Sequence, residues 1–275
     1  MNRFNLILGA FLLTASIGCS QQDVEGSTSV GGKGDDVASG EWRTRIDEDV
    51  ARLRKADPTL WRQLTTVDAL PTRPGFTRIR GEVVHHEVAA SVFLLRYLDE
   101  RDGETRAALV EALPRTGGLY EDALAELIDS EPNEDARAAM VAALGRGKTA
   151  ASMHGIGKGL ADKSISVRLE AAVAASRNPR GANLGPALEA RLADADDSVR
   201  AAAARALGIH SIASAKESLA ARLADGSAEV RLQALRALSR IDAAYLASQP
   251  QMASLGQDDD ARVRRAAEKA TRANR

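Results

Sequence analysis

The chain has few of the residues that carry most protein chemistry. Of its 275 residues one is a cysteine, Cys19, and four are histidines. With no second thiol it can close no internal disulfide, and it has no cysteine pair to offer a structural zinc. Aromatic residues make up only 3%, and both tryptophans, Trp42 and Trp61, stand in the first quarter of the chain. A Gly-x-Ser-x-Gly elbow and a His-Glu-x-x-His pair are both missing, which excludes the commonest local signatures of serine hydrolases and zinc proteases. An excess of charge is missing too. Beyond residue 40 there are 35 Lys+Arg (37 less Arg3 and Lys33) against 34 Asp+Glu (38 less Asp23, Glu25, Asp35 and Asp36). A net charge near +1 excludes strong sequence-blind attraction to polyanions, so no nucleic acid is expected as a partner.

What the chain does have is an interval. Arg106, Arg137, Arg168, Arg200, Arg231 and Arg264 are separated by 31, 31, 32, 31 and 33 residues. Leu98, Ile128, Leu160, Leu192, Leu223 and Leu255 keep step with them, and Leu94, Leu124, Ile156, Leu188 and Leu219 stand four residues earlier in the first five units, one helical turn back. An acidic column, Asp99, Asp129, Asp162, Asp194, Asp225 and Asp258, follows the leucines. Each unit therefore reads as a helix, a tight acidic turn and a second helix carrying the arginine. In that second helix Val199, Ala203, Ala206 and Leu207 lie at i, i+4, i+7 and i+8, one apolar face of helical period. Units of one length that cannot bury such a face alone must stack on their neighbours. The arginines, with their regular acid partners, are expected to pair turn to helix and set the stacking.

Val199-Arg200-Ala201-Ala202-Ala203-Ala204-Arg205-Ala206-Leu207-Gly208 after an Asp turn resembles the short HEAT-like repeat of the bilin-lyase type. The resemblance spans residues 82–275. It implies an all-α fold, a right-handed α-solenoid of about six helix pairs, with first helices outside and second helices lining a concave face. It transfers a fold and not a reaction.

The N-terminus sets the expected compartment. Met1-Asn2-Arg3 precedes ten mostly apolar residues, Leu6–Ala15. As a helix these would rise ~15 Å, too short to cross a bilayer and suited to a signal-peptide core. The run ends at Ser16-Ile17-Gly18-Cys19, which resembles a bacterial lipobox, although Ser16 departs from its usual leucine. The resemblance implies a signal peptide over 1–18, lipidation of Cys19 and attachment to the cell envelope, with Gln21 tilting toward the outer membrane. An ordinary secretory signal, leaving a secreted or periplasmic soluble protein, is the alternative. Residues 19–40, rich in Gly and Ser, read as a flexible tether. Residues 41–81 read as a non-repeat helical cap in which Glu41–Ala56 is one helix, Asp57-Pro58 starts another, and Trp42 and Trp61 cover the open end of the array.

Candidates for chemistry are sparse. His85-His86-Glu87 resembles one His-Glu pair of deoxyhypusine hydroxylase, but a metal centre needs several such pairs to converge. No metal or cofactor is expected. Gly155, Gly157 and Gly159 fall in the first helix of the third unit and are predicted to soften it, through fraying, close helix contact or a hinge. The positive residues are more suggestive. Arg115, Arg146, Arg177, Arg205, Arg236, Arg240 and Lys269 lie five or nine residues after a repeat arginine, away from the apolar stripe, opposed by Glu111. On the family geometry they line the concave face. The expectation is a non-enzymatic, lipid-anchored scaffold that holds a protein partner with an acidic surface. An envelope enzyme or enzyme-maturation subunit of the bilin-lyase kind is the alternative.

Overall fold

The computed structural model describes residues 40–66, 87–113 and 119–273. Cys19, the segments 1–18 and 20–39, His85, His86 and Arg115 lie outside the described residues, so the structure does not bear on the expectations for them.

Among the described residues every regular element is helical. Two helices come first, α1 (Glu41–Ala56) and α2 (Pro58–Thr66). Six pairs follow. They are α3 (Glu87–Asp99) with α4 (Gly103–Glu111), α5 (Leu119–Leu127) with α6 (Glu134–Leu144), and α7 (Ala150–Leu160) with α8 (Ile165–Arg177). Then come α9 (Gly185–Arg191) with α10 (Asp197–Ile209), and α11 (Lys216–Ala221) with α12 (Ala228–Ile241). In the sixth pair the first arm is split at Pro250 into α13 (Ala243–Ala247) and α14 (Gln251–Leu255), before α15 (Ala261–Ala273). Second helices stack directly on one another, α4 on α6, α6 on α8, α8 on α10, α10 on α12 and α12 on α15. The first arms form a parallel layer in which α5 meets α7 and α7 meets α9. This is an open α-solenoid.

Alanine, the best helix former, supplies much of each second helix, and small side chains let adjacent helices approach. Polar residues start the helices: the side chains of Asp102, Asn133, Thr149 and Asp196 each accept a bond from a first-turn amide. Val199, Ala203, Ala206 and Leu207 are all fully buried, as their spacing predicts, and so is the inner column Leu94, Leu124, Ile156, Leu188 and Leu219. The outer column holds from Ile128 to Leu255 but not at its first member. Leu98 is 41% exposed, and Tyr97 turns inward in its place. The reason is polar: the Tyr97 hydroxyl donates to the buried Glu131 carboxylate. Burial pushes the Tyr97 phenol well above its ordinary value.

The three glycines of α7 do not interrupt it; the helix is continuous. Two of them serve close packing. A Cβ at Gly155 would lie 2.3 Å from Leu144 Cδ1, and one at Gly159 would lie 2.7 Å from Val141 Cγ2. Gly157 has room, with Leu184 Cδ2 at 3.7 Å.

At the N-terminal end α1 packs on α3 and α5, and α2 packs on α3. Trp42, Ile46, Leu53 and Leu64 are buried there, and Trp61 packs half-buried against the same core. The Trp42 indole donates to Glu126 Oε2 at 2.8 Å, which ties α1 to the second pair. Asp57 Oδ1 accepts from the amides of Thr59 and Leu60 and so caps α2.

Candidate partner-binding face

The face begins with what orients the helices that carry it. Arg106, Arg137, Arg168, Arg200 and Arg231 each present Nε and Nη2 as a fork to one carboxylate of the next unit: Glu131, Asp162, Asp194, Asp225 and Asp258. The third nitrogen, Nη1, donates to two carbonyls of the arginine's own turn, as Arg137 does to Glu131 O and Pro132 O. The accepting carboxylate also shapes its own turn, taking the amide two residues on: Asn133, Ser164, Asp196, Ser227 and Asp260. One side chain thus closes a turn and clamps the unit before it. Arg264 keeps the two carbonyl bonds, to Asp258 and Asp259, without a carboxylate fork among the described residues.

The ladder corrects the acidic column in the first two units. Glu100 and Glu131 hold the positions expected of Asp99 and Asp129. Glu100 Oε1 accepts from the amides of Arg101 and Asp102, and Asp129 instead meets Lys158 at 2.6 Å. The true column lies six residues before each arginine, so it repeats the arginine spacing throughout. Charge follows geometry. Burial alone would raise Glu131, Asp162 and Asp225, but the arginine forks and turn amides outweigh it and hold them below the usual carboxylate range. Asp194 and Asp258 are lowered first by their forks, against a smaller opposing effect of burial.

Two further clamps, neither evident in the repeat pattern, fix the loops after the second helices. Buried Asn178 donates Nδ2 to Gly147 O at 2.8 Å, and His210 Nε2 lies 2.8 Å from Ala175 O. Buried Glu121 accepts with one oxygen from the amides of Lys148 and Thr149 and from the hydroxyls of Thr149 and Ser152, which anchors the start of α7.

With arginines and acids at the turns fixed, the remaining charges of the second helices point outward. Arg146, Arg177, Arg205, Arg236, Arg240 and Lys269 are all exposed. Arg177 lies 3.8 Å from Glu170. Arg205, Arg236, Arg240 and Lys269 make no hydrogen bond or ion pair among the described residues. The same face also carries acids, of which the spacing argument gave only Glu111. Between α4, α6 and α8 runs an open groove of about 450 Å³, floored by alanines such as Ala107, Ala138 and Ala142. Glu104, Glu111, Asp135 and Glu170 rim it. Glu104, Glu111 and Asp135 are unpaired among the described residues. Burial raises Glu170, against the opposing pull of Arg177 and Arg146. Glu104 and Asp135 stand two residues before Arg106 and Arg137, so comparing that position across units would have found them. Among the described residues no group of three or more His, Cys, Asp or Glu is placed to hold a metal ion, and no helix is long and apolar enough to cross a membrane.

The HEAT repeats family matches residues 185–272, which is the fourth pair onward. Among solved structures, an engineered protein is similar at 20% identity, with 82% of this chain and 94% of that one covered and a TM-score of 0.46. A designed armadillo repeat protein in complex with the peptide (KR)4 is similar at 19% identity over 78% and 98%, with a TM-score of 0.46. Cex1p is similar at 15% identity and a TM-score of 0.50; 83% of this chain covers 52% of that protein. No curated protein sequence matches. The chain is thus similar to HEAT repeats over its last three pairs, and its stacked helix pairs give it an α-solenoid fold.

Proposed function

We propose that the chain is an exported, lipid-anchored scaffold of a bacterial cell envelope that holds a protein partner against its second helices. The observation that carries the reading is the open groove with unpaired charges at its rim and beyond it. Exposed cations such as Arg205 and Arg236 gain nothing from the fold itself, and a long charged face laid over rigid, clamped helices suits extended contact with another protein. The open form of the groove supports a holding surface over an enclosed reaction site. The partner offers an acidic surface to Arg205, Arg236, Arg240 and Lys269, with Arg146 and Arg177 further along the same face and Arg115 added as a candidate from the sequence alone. Anchoring rests on the sequence around Cys19, and the Gly/Ser-rich 19–40 gives the array freedom to search for its partner. The outer membrane is the favoured site.

Fractionation tests the anchor, and charge reversal tests the face. Wild-type chain should enter the detergent phase with membranes, and Cys19→Ser should not. Affinity capture from solubilised envelopes, run beside an Arg205→Glu/Arg236→Glu chain, should lose one and the same acidic protein from the variant. Wild-type chain found only in the cytosol, or identical captures by both chains, would overturn the corresponding half of the reading.

A further inference from the structure

The unpaired charges on the second-helix face are sorted by sign along the array. Glu104 and Glu111 on α4 and Glu134 and Asp135 on α6 are unpaired carboxylates at the N-terminal end, and the second helices further along carry one more, the exposed Asp197 in the first turn of α10. Arg205 on α10, Arg236 and Arg240 on α12 and Lys269 on α15 are unpaired cations, all toward the C-terminal end. Between them the charges are matched, with Arg177 set against Glu170. At the C-terminal end Arg262 meets Glu229 at 2.9 Å and Arg272 meets Glu268 at 4.0 Å, which leaves Asp197 as the unpaired exception in sign. The near-zero net charge of the chain therefore hides a face with a negative end and a positive end.

We infer that this face recognises an extended polypeptide segment carrying a basic block and an acidic block, the basic block over the alanine-floored groove of α4 and α6 and the acidic block over α10, α12 and α15. The inference rests on the reading above that this face holds the partner, and it specifies the partner's chemistry. Stacked helices lie ~8–10 Å apart, so the centres of the two charged ends are on the order of 30 Å apart. A chain in extended conformation rises ~3.3 Å per residue, which places about nine residues between the centres of the two blocks. A Debye length of ~8 Å at physiological salt keeps the two ends electrically independent, so each block is selected by its own end of the face. The groove floor fits the assignment as well. Alanines leave space above them, and the long apolar stem of a lysine or arginine can lie along that floor while its charged head meets Glu111 or Asp135. An acidic block placed there would meet like charge, so the sorted face also fixes the direction in which a segment lies.

The test uses the full chain and four synthetic peptides of equal length. The first joins a block of four lysines to a block of four glutamates through a neutral Gly/Ser spacer. The second carries the lysine block and spacer alone, the third the glutamate block and spacer alone, and the fourth alternates lysine and glutamate. Fluorescence anisotropy at two salt concentrations should show the two-block peptide binding at least about tenfold tighter than each of the others, with the advantage falling as salt rises. Glu111→Lys/Asp135→Lys should reduce the two-block peptide to the affinity of the glutamate-block peptide and leave the latter unchanged or improved. Far-UV circular dichroism of the variant establishes that it is folded. If the glutamate-block peptide binds wild-type chain as tightly as the two-block peptide, the sorted-face inference falls while a basic docking face stands. If no peptide binds, both fall.

Discussion

Arg137 and Asp162 lie 25 residues apart in sequence and share a two-pronged bond, Nε to Oδ2 at 2.7 Å and Nη2 to Oδ1 at 3.0 Å. Arg137 is 4% exposed. A guanidinium suits this place because its planar donors match both carboxylate oxygens and leave a third nitrogen for the turn carbonyls, which a lysine cannot do. The same relationship recurs in five successive interfaces. It fixes how far each unit rotates on the last, and so determines where the outward-facing charges of the second helices fall.

Breaking one rung should be costly. Arg137→Ala leaves the Asp162 carboxylate and two turn carbonyls without their donor in a nearly dry site, and the expected loss is ~3–5 kcal/mol. Arg137→Lys should lie between that and wild type. Urea unfolding followed by circular dichroism measures both; equal stability of Arg137→Ala and wild type would show the rung to be ornamental.

The rungs also set the response to acid. Glu131, Asp162, Asp194, Asp225 and Asp258 have folded pKa values below their ordinary ones. At low pH the unfolded chain therefore binds more protons than the folded one, so the contribution of these groups is fully present above about pH 5, beyond the ordinary carboxylate range, and is lost as pH falls through the folded values. The thermal midpoint should be flat from neutrality to about pH 5 and then drop steeply. A midpoint unchanged down to about pH 3 would contradict the assignment.

Within α7 the glycines should separate by the space around them. Gly157→Ala should stabilise by up to ~1 kcal/mol, because it removes backbone freedom from a helix interior with room for a methyl group. Gly155→Ala should destabilise, since its Cβ would meet the buried Leu144 side chain at 2.3 Å. Matched thermal melts of the two variants decide it.

Leu207 and Arg205 lie on one helix and face opposite ways. Leu207 is fully buried and Arg205 exposed and unpaired. Leu207→Ala should cost ~2–5 kcal/mol, and Arg205→Ala should change stability by no more than ~0.5 kcal/mol. Equal costs would mean that the helix is turned the other way.

The solenoid was legible in the sequence because two features repeat in register, a period-3.6 apolar stripe and an arginine. Both respond to forces that act within one unit and its neighbour, so they recur at each unit. The first unit was misjudged at Leu98 and Asp99 because the turn there is set by Glu100 and Tyr97, whose side-chain hydrogen bonds no apolar pattern records. Glu121, Asn178 and His210 were missed for the same cause: each partner lies 27 to 35 residues away and is a backbone group or hydroxyl with no sequence signature. On the candidate face the cations were found, since they stand at two repeated positions. The acids at Glu104, Asp135 and Glu170 were not, because four of the other units hold alanine at the position of Glu170, and the position of Glu104 and Asp135 holds Ser166, Ser198, Glu229 and Arg262 elsewhere, a mixture without the regularity of the cation columns.

Site-specific photocrosslinking tests the central claim most directly. A photoreactive residue placed at Ala142 or Gln233 sits on the second-helix face, and one placed at Glu217 sits on the exposed side of a first arm. Irradiation of cells should give the same single adduct from Ala142 and Gln233 and none from Glu217. An adduct from Glu217 alone would contradict the account and move the contact surface to the first arms.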